Sequence, residues 1–371
     1  MATQSAAVSA TAKGVDLSVV AHRNLALDAF RGFIMIMLVS GGFGLAELAR
    51  RNPFYAPLAA QFEHMPWEWI SFWDLIQPAF MFIVGAAMPL AIARRIEQGA
   101  TRSQIFRHVV VRSLRLILMS QILISISRGR LHLQLINVLA QIGITYFLCY
   151  LIMQLRFRWQ ALIAALILIG HWALFVAFPG TEGPFMSKTT NIGARVDIFL
   201  FGQINPGYWA TINFITSTVT TLFGVWAGQL LRARRRHGET MRILGVWALG
   251  CLVAGWAIHP WNPIIKRICT TSFTLYSAGW VLLMLLFFYW VVEVKGYRTW
   301  TFPLIVVGAN PIFIYSVDMV LRGWLDRAVG VFTFRYEWLG QFAPVAQSLT
   351  VLLVMWYLCY WLYQRRIFFK L

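Results

Sequence analysis

Phe62-Glu63-His64-Met65-Pro66-Trp67-Glu68-Trp69, running on through Ile70-Ser71-Phe72-Trp73-Asp74-Leu75-Ile76-Gln77-Pro78 to Ala79-Phe80-Met81-Phe82-Ile83-Val84-Gly85-Ala86-Ala87-Met88, is the stretch on which the fold turns. Its apolar part is about 20 residues long, the length that crosses roughly 30 Å of hydrocarbon as an α-helix. Yet Asp74, Gln77, Met81 and Gly85 recur at spacings of three and four, a polar-to-small stripe on a helix of Trp, Phe, Ile and Leu. A carboxylate at that depth is costly unless it faces a partner or a wet cavity, so an acid inside a span is a functional candidate by default. Pro78 deprives the Asp74 carbonyl of its helical donor and predicts a locally open helix beside the carboxylate. His64 stands in the loop just before.

The 371 residues are 59% hydrophobic and 12% charged, with a mean hydropathy of +0.65. That composition excludes a soluble domain of this size. Apolar segments recur at approximately 25–46, 67–92, 104–127, 132–154, 158–178, 208–231, 241–258, 270–293, 299–320 and 344–364. The expectation is an all-α polytopic membrane protein, a bundle of about ten transmembrane helices embedded in the lipid bilayer. Residues 1–24, rich in Ala, Ser and Thr, read as a disordered cytoplasmic tail, and 25–371 as one transmembrane domain.

The formal net charge of +18 would suit nucleic acid, but the positives are scattered among helix ends, so topology accounts for most of them and no nucleic-acid partner is expected. Placing the tail, the loops after the second, fourth, sixth and eighth helices and the C-terminus on one side collects the larger share of Lys and Arg, including Arg232, Arg234, Arg235 and Arg236. The positive-inside rule makes that side, with both termini, cytoplasmic. His64 then faces outward. Cys149, Cys251, Cys269 and Cys359 have no metal-ligand spacing and read as packing residues, and no metal is expected.

Other polar residues can be sorted by depth. Asp28 and Arg31 share a helical face and can pair with each other or serve a ligand. Ser40 falls near the level of His64. Arg112 and Arg115 lie well inside the third helix, and both are expected to face the interior, where they suit cofactor phosphates or a neighbouring acid. Asn137 and Gln141 read as interhelical hydrogen-bonding residues, Asn213 as a deeper polar group, and His171 as a packing histidine. Gly308-Ala309-Asn310-Pro311 predicts a kink that frees the Val307 carbonyl, with Asp318 further out. The outer loops 48–66, 179–207 and 322–343 would form an acceptor mouth.

Leu27-Asp28-Ala29-Phe30-Arg31-Gly32, His64-x-x-Trp67 and Trp73-Asp74-Leu75-Ile76-Gln77-Pro78 resemble the opening of the heparan-alpha-glucosaminide N-acetyltransferase family and its bacterial relatives. Phe223-Gly224-Val225-Trp226-Ala227-Gly228, Asn262-Pro263-Ile264-Ile265-Lys266 and Gly308-Ala309-Asn310-Pro311-Ile312 continue it in the same order. The resemblance implies a membrane acetyltransferase that takes acetyl from cytoplasmic acetyl-CoA to a sugar or glycan acceptor on the far side, in a bacterial inner membrane with the histidine facing the periplasm. It places the catalytic histidine at His64, sets Ser40 where the family has Asn, and implies a homodimer.

The chemistry fits on its own terms. Imidazole titrates near working pH, so His64 can act as base or carry the acetyl group covalently, and Asp74 can orient the ring or bind the acceptor. The expected assignment is therefore His64, Asp74 and Ser40 for catalysis, Arg31, Arg112 and Arg115 for acetyl-CoA, and Asn213, Asn310 and Asp318 for the acceptor. Asp28, Pro78, Asn137 and Gln141 are expected to be structural. A secondary transporter for an anionic or sugar-like solute is the alternative.

Overall fold

The computed structural model describes residues 24–369. The tail expected at 1–24 lies, but for its last residue, outside the described residues. Fourteen α-helices follow among the described residues. They are α1 (Leu25–Val39), α2 (Leu45–Arg51), α3 (Ala56–Ala60), α4 (Ile76–Glu97), α5 (Arg102–Arg128), α6 (Val138–Ile152) and α7 (Phe157–Ala177). After them come α8 (Ile192–Phe201), α9 (Phe214–Arg232), α10 (His237–Ala257), α11 (Thr271–Tyr289), α12 (Phe302–Ala309), α13 (Pro311–Thr333) and α14 (Ala343–Gln364). The only extended pairing among the described residues is a set of isolated bridges, two of which join Glu68 and Trp69 to Ile265.

Seven helical runs are long and apolar enough to cross a membrane, or eight if the bent pair at 25–39 and 41–51 is one span. The run Pro311–Gln364 contains both α13 and α14, and α6 is a shorter apolar helix. Counted this way the bundle of about ten stands.

Its centre is α4 against α9, joined by small residues. A Cβ on Gly85 would meet the Thr221 carbonyl, and one on Gly224 or Gly228 would meet the carbonyls of Phe82 or Ala86. Close backbone approach through small residues is how helices associate where lipid offers no hydrophobic drive between them. Phe82, Met81, Ile83 and Leu222 are fully buried at this seam. On the other side, α1 crosses α12 equally closely at Gly32 and Leu304.

Four local features differ from the sequence expectation. First, the second span begins at Trp73, not residue 67: residues 64–72 are a non-helical loop leading into a 3-10 turn, Trp73–Leu75. Pro78 therefore stands in the first turn of α4, where its missing N–H costs no hydrogen bond, and it marks the helix start instead of opening its interior. Second, α1 stops at Val39 because Gly41, Gly42, Phe43 and Gly44 all take positive φ, between 55° and 69°. Only glycine adopts that region freely, and the chain bends by 48° there.

Third, the Val307 carbonyl is not free, because it accepts the Asn310 N–H at 3.1 Å. Fourth, much of the loop expected over 322–343 is helix. Its charges find partners along and between helices, Arg322 pairing with Asp318 at 2.7 Å and the Asp326 carboxylate accepting from the Gln347 amide at 3.2 Å, so α13 continues through a charged sequence.

Candidate active site

The loop before α4 and the loop before α11 meet at three charged or titratable groups. His64 Nδ1 lies 2.7 Å from Asp74 Oδ1, and Lys266 Nζ lies 3.3 Å from the same oxygen and 3.2 Å from Nδ1. Oδ2 of Asp74 accepts the backbone N–H groups of Ser71 at 3.1 Å and Met65 at 3.2 Å. A carboxyl surrounded by so many donors acts as an acceptor only, the bonding pattern of the carboxylate. With Asp74 facing Nδ1, the ring proton belongs there, and Nε2 keeps its lone pair.

Burial is unequal across the trio. Asp74 and Lys266 are almost wholly buried, whereas the His64 side chain is 39% exposed. Burial and the neighbouring Lys266 charge push the His64 pKa below its ordinary value, against the opposing hydrogen bond that the ring donates to Asp74. Burial likewise lowers Lys266, which its proximity to Asp74 counteracts. The net effect is a neutral imidazole poised beside a fixed carboxylate. The constellation follows the logic of a base oriented by an acid.

Each loop is held in place by its own bonds. Ser71 Oγ donates to the Glu63 carbonyl at 2.6 Å and closes the turn under His64. The Trp69 N–H donates to the Ile264 carbonyl at 2.7 Å. Arg267 Nε donates to the Pro66 carbonyl at 3.1 Å, and the Asn213 amide donates to the Arg267 carbonyl at 2.9 Å. Thr270 Oγ1 donates to the Pro263 carbonyl at 2.7 Å. Trp209 packs edge-on to the His64 ring at 5.1 Å and lies beneath both Lys266 and Arg267.

Beneath this site a cavity of about 430 Å³ runs between α1, α4, α5, α6 and α13. Along α4 its lining extends from Phe80 to Arg95, about 22 Å at 1.5 Å per residue. Asp74 is six residues, about 9 Å, before its near end. Arg31, Arg95, His108 and Arg112 line it. Arg112 stacks over Tyr146 at 4.8 Å, and its Nε is buried with no hydrogen-bond partner among the described residues.

The remaining expected residues divide clearly. Arg31 pairs with Asp28 at 2.9 Å while lining the cavity. Arg115 does not face the interior: three residues from Arg112 it is rotated about 60° around α5, and its side chain is exposed on the outside of the bundle. Ser40 is buried, but its hydroxyl donates to the Met37 carbonyl at 2.7 Å, and its own carbonyl accepts from Arg322 and Ser348. None of its hydrogen bonds reaches His64.

Asn310 clasps the C-terminal segment, donating to the Ile367 carbonyl at 3.0 Å and accepting the Phe369 N–H at 2.9 Å. Asp318 is taken up by Arg322. Asn213 lies next to the site as a loop tie, with Oδ1 unpartnered. Asn137 caps α6 and donates to the Tyr315 hydroxyl at 2.9 Å, and Gln141 bonds the carbonyls of Leu135 and Thr211. His171 is buried against Phe175, away from the trio. Lys266 had no assigned role in the sequence reading. Its signal was an ammonium placed among Ile264, Ile265 and Ile268, all three fully buried.

Residues 23–255 match the family described as Heparan-alpha-glucosaminide N-acetyltransferase, catalytic. Across 95% of its length the chain is 22% identical to the Mus musculus protein named Heparan-alpha-glucosaminide N-acetyltransferase. Across 96% it is 23% identical to the Homo sapiens protein of that name. The chain spans 61% of the length of each of these relatives. His64, Asp74, Arg31 and Arg112 fall inside the matched segment and Lys266 beyond it. With well over half its length matched, the His64 loop included, this chain belongs to the heparan-alpha-glucosaminide N-acetyltransferase catalytic family.

Proposed function

We propose that the protein is an integral-membrane acyltransferase that moves an acetyl group from cytoplasmic acetyl-CoA, through the bundle, to a sugar amine or hydroxyl on the outer side. The observation that carries this reading is the stacking of the His64, Asp74 and Lys266 trio above a long cavity lined by cations. Arg31, Arg95 and Arg112 suit the phosphates of the cofactor, and the unpartnered Arg112 Nε supplies a donor for one of them. The elongated cavity suits a flexible thiol arm that delivers the thioester toward His64.

His64 Nε2 then takes the proton of the attacking amine or hydroxyl as the new C–N or C–O bond forms. The tetrahedral intermediate expels the thiolate, which recovers a proton from the imidazolium. Transfer through an acetyl-histidine is the other route open to the same atom. With both termini and the dense run at Arg232–Arg236 in the cytoplasm, His64 faces the periplasm of a bacterial inner membrane. The family membership supports an acetyl-transferring role for the chain. A homodimer belongs to the same proposal.

A secondary transporter fits less well. Transporters place broken helices at the midplane with free backbone groups that bind solute. Here the break after α1 has its Val39 and Ser40 carbonyls capped by Arg322 and Ser348, and the break at Asn310 is closed by the C-terminal segment. Proteoliposomes loaded with labelled acetyl-CoA and given an external amino sugar decide the matter. Acetylated sugar outside, lost in His64→Ala, is the expected result; uptake of intact sugar without the thioester would refute the proposal.

A further inference from the structure

A second concave surface, of about 640 Å³, opens on the outside of the bundle between α1, α11 and the His64 loop. Its walls are apolar and aromatic: Trp69, Phe72, Tyr276, Trp280, Phe287 and Trp300. It follows α11 from Tyr276 to Phe287, about 16 Å at helical rise, and Phe288 stacked on Trp300 at 5.8 Å forms its far end. Because α11 spans the membrane, the medium this groove meets is hydrocarbon.

Its near end belongs to the candidate active site. Gln61, Trp69, Ser71 and Phe72 line the groove and belong to the same loop as His64, and Ser71 ties the two together: its N–H bonds the Asp74 carboxylate and its hydroxyl bonds the Glu63 carbonyl. Trp69 marks the junction. Its φ of +82° is a rare conformation for a bulky residue, kept by the bond to Ile264. The residue is 39% exposed, and its ring stands between His259 at 5.3 Å and Tyr276 at 6.1 Å. Strain held at such a place is a mark of function.

We infer that this groove receives the hydrocarbon chain of a membrane-anchored amino-sugar acceptor, so that the sugar head emerges beside His64 while the chain lies along α11. The inference rests on the acyltransferase reading and narrows its acceptor to a lipid-linked class. Bulk phospholipid would coat any apolar face. This face differs because its upper end is built from the loop that carries the base.

The test uses purified full-length protein in phosphatidylcholine nanodiscs with acetyl-CoA, comparing decyl and methyl glucosaminide as acceptors. The decyl compound is expected to show a kcat/KM at least about tenfold higher. Filling the groove with Met284→Trp or Leu283→Trp is expected to bring that ratio to within about threefold of one, and the ratio is insensitive to the fraction of folded enzyme. Equal rates for the two acceptors, or a ratio unchanged in both variants, would overturn the inference.

A second arm does not depend on turnover. A diazirine-bearing decyl glucosaminide is expected to label residues 276–288, with competition by decyl glucosaminide and none by added phosphatidylcholine. Equal competition by phosphatidylcholine, or crosslinking of this face to a second copy of the chain, would assign the groove to bulk lipid or to a dimer and overturn the inference. If neither sugar is acetylated, the acyltransferase reading fails, while the labelling pattern still decides the groove.

Discussion

Replacing Lys266 with Met removes the ammonium and keeps most of the side-chain volume, which makes it the most informative perturbation of the trio. At the observed 3.3 Å from Asp74 Oδ1, the charge pair is worth about 5 kcal/mol at an effective dielectric near 20. Desolvation of the lysine offsets part of this, and losing one partner of a buried pair costs about 3–5 kcal/mol. The deficit does not all appear as unfolding, because Asp74 has a second partner at 2.7 Å. Without the ammonium, the carboxylate is relieved by a protonated His64.

The sign follows. Lys266 helps hold the His64 pKa below its ordinary value, so its removal raises that pKa and consumes the free base at a given pH. The acidic limb of kcat/KM against pH is expected to move to higher pH, with the loss largest near about pH 6 and smallest near about pH 9. Lys266→Arg, which restores the charge, should return the limb toward the wild-type position. An acidic limb that stays in place or moves down in Lys266→Met, or an equal shift in Lys266→Arg, would refute the argument. The assay is initial-rate acetyl transfer from labelled acetyl-CoA across the pH range, read beside a thermal melt of each variant.

Three further expectations follow from the same geometry. His64→Ala should lower kcat by about 10²–10⁴, the span of general-base catalysis, with little change in the melting temperature of a side chain that is partly exposed; a rate within tenfold of wild type would remove His64 from the chemistry. Arg112→Gln should weaken CoA binding, measured by calorimetry, by about 10- to 150-fold, since hydrogen bonds to charged groups contribute about 1.5–3 kcal/mol, and unchanged affinity would place the cofactor elsewhere. Gly224→Ala should force α4 and α9 apart at the Phe82 carbonyl and destabilise by about 1–3 kcal/mol; a melting temperature equal to wild type in detergent would mean that the seam relaxes freely.

Much of the bundle was legible because spanning length and apolarity are local properties of a sequence. The boundaries were less so. The stretch from Trp67 to Phe72 is rich in Trp, Ile and Phe and runs straight into the helix after it, and its pairing with Ile264 and Ile265 shows that it is a loop. Conversely, the outer loop expected over 322–343 is helix in its first part, with Arg322 paired to Asp318 and the Asp326 carboxylate accepting from Gln347. At the site, His64 and Asp74 stood out because an acid in a span and a histidine beside it are rare enough to notice. Lys266 did not, because its partner lies 202 residues away and nothing local records that separation. Arg115 was misplaced because depth says nothing about which way a side chain turns: Arg112 lines the cavity, while the bearing of Arg115 on α5 leaves it exposed.

The long sequence separation between Asp74 and Lys266 also bears on how the chain is made. Asp74 is synthesised and inserted long before the segment that supplies its counter-charge, so for most of translation the first spans carry an acid without its lysine. Its place in the 3-10 turn at the mouth of α4, and not mid-span, lets water serve as interim partner until the later helices arrive. Until the loop before α11 docks, the partners left to the carboxylate are local ones, the His64 ring and the backbone N–H groups of Met65 and Ser71, so the first spans carry the acid with its own neutral donors and the last charge is added by the later helices.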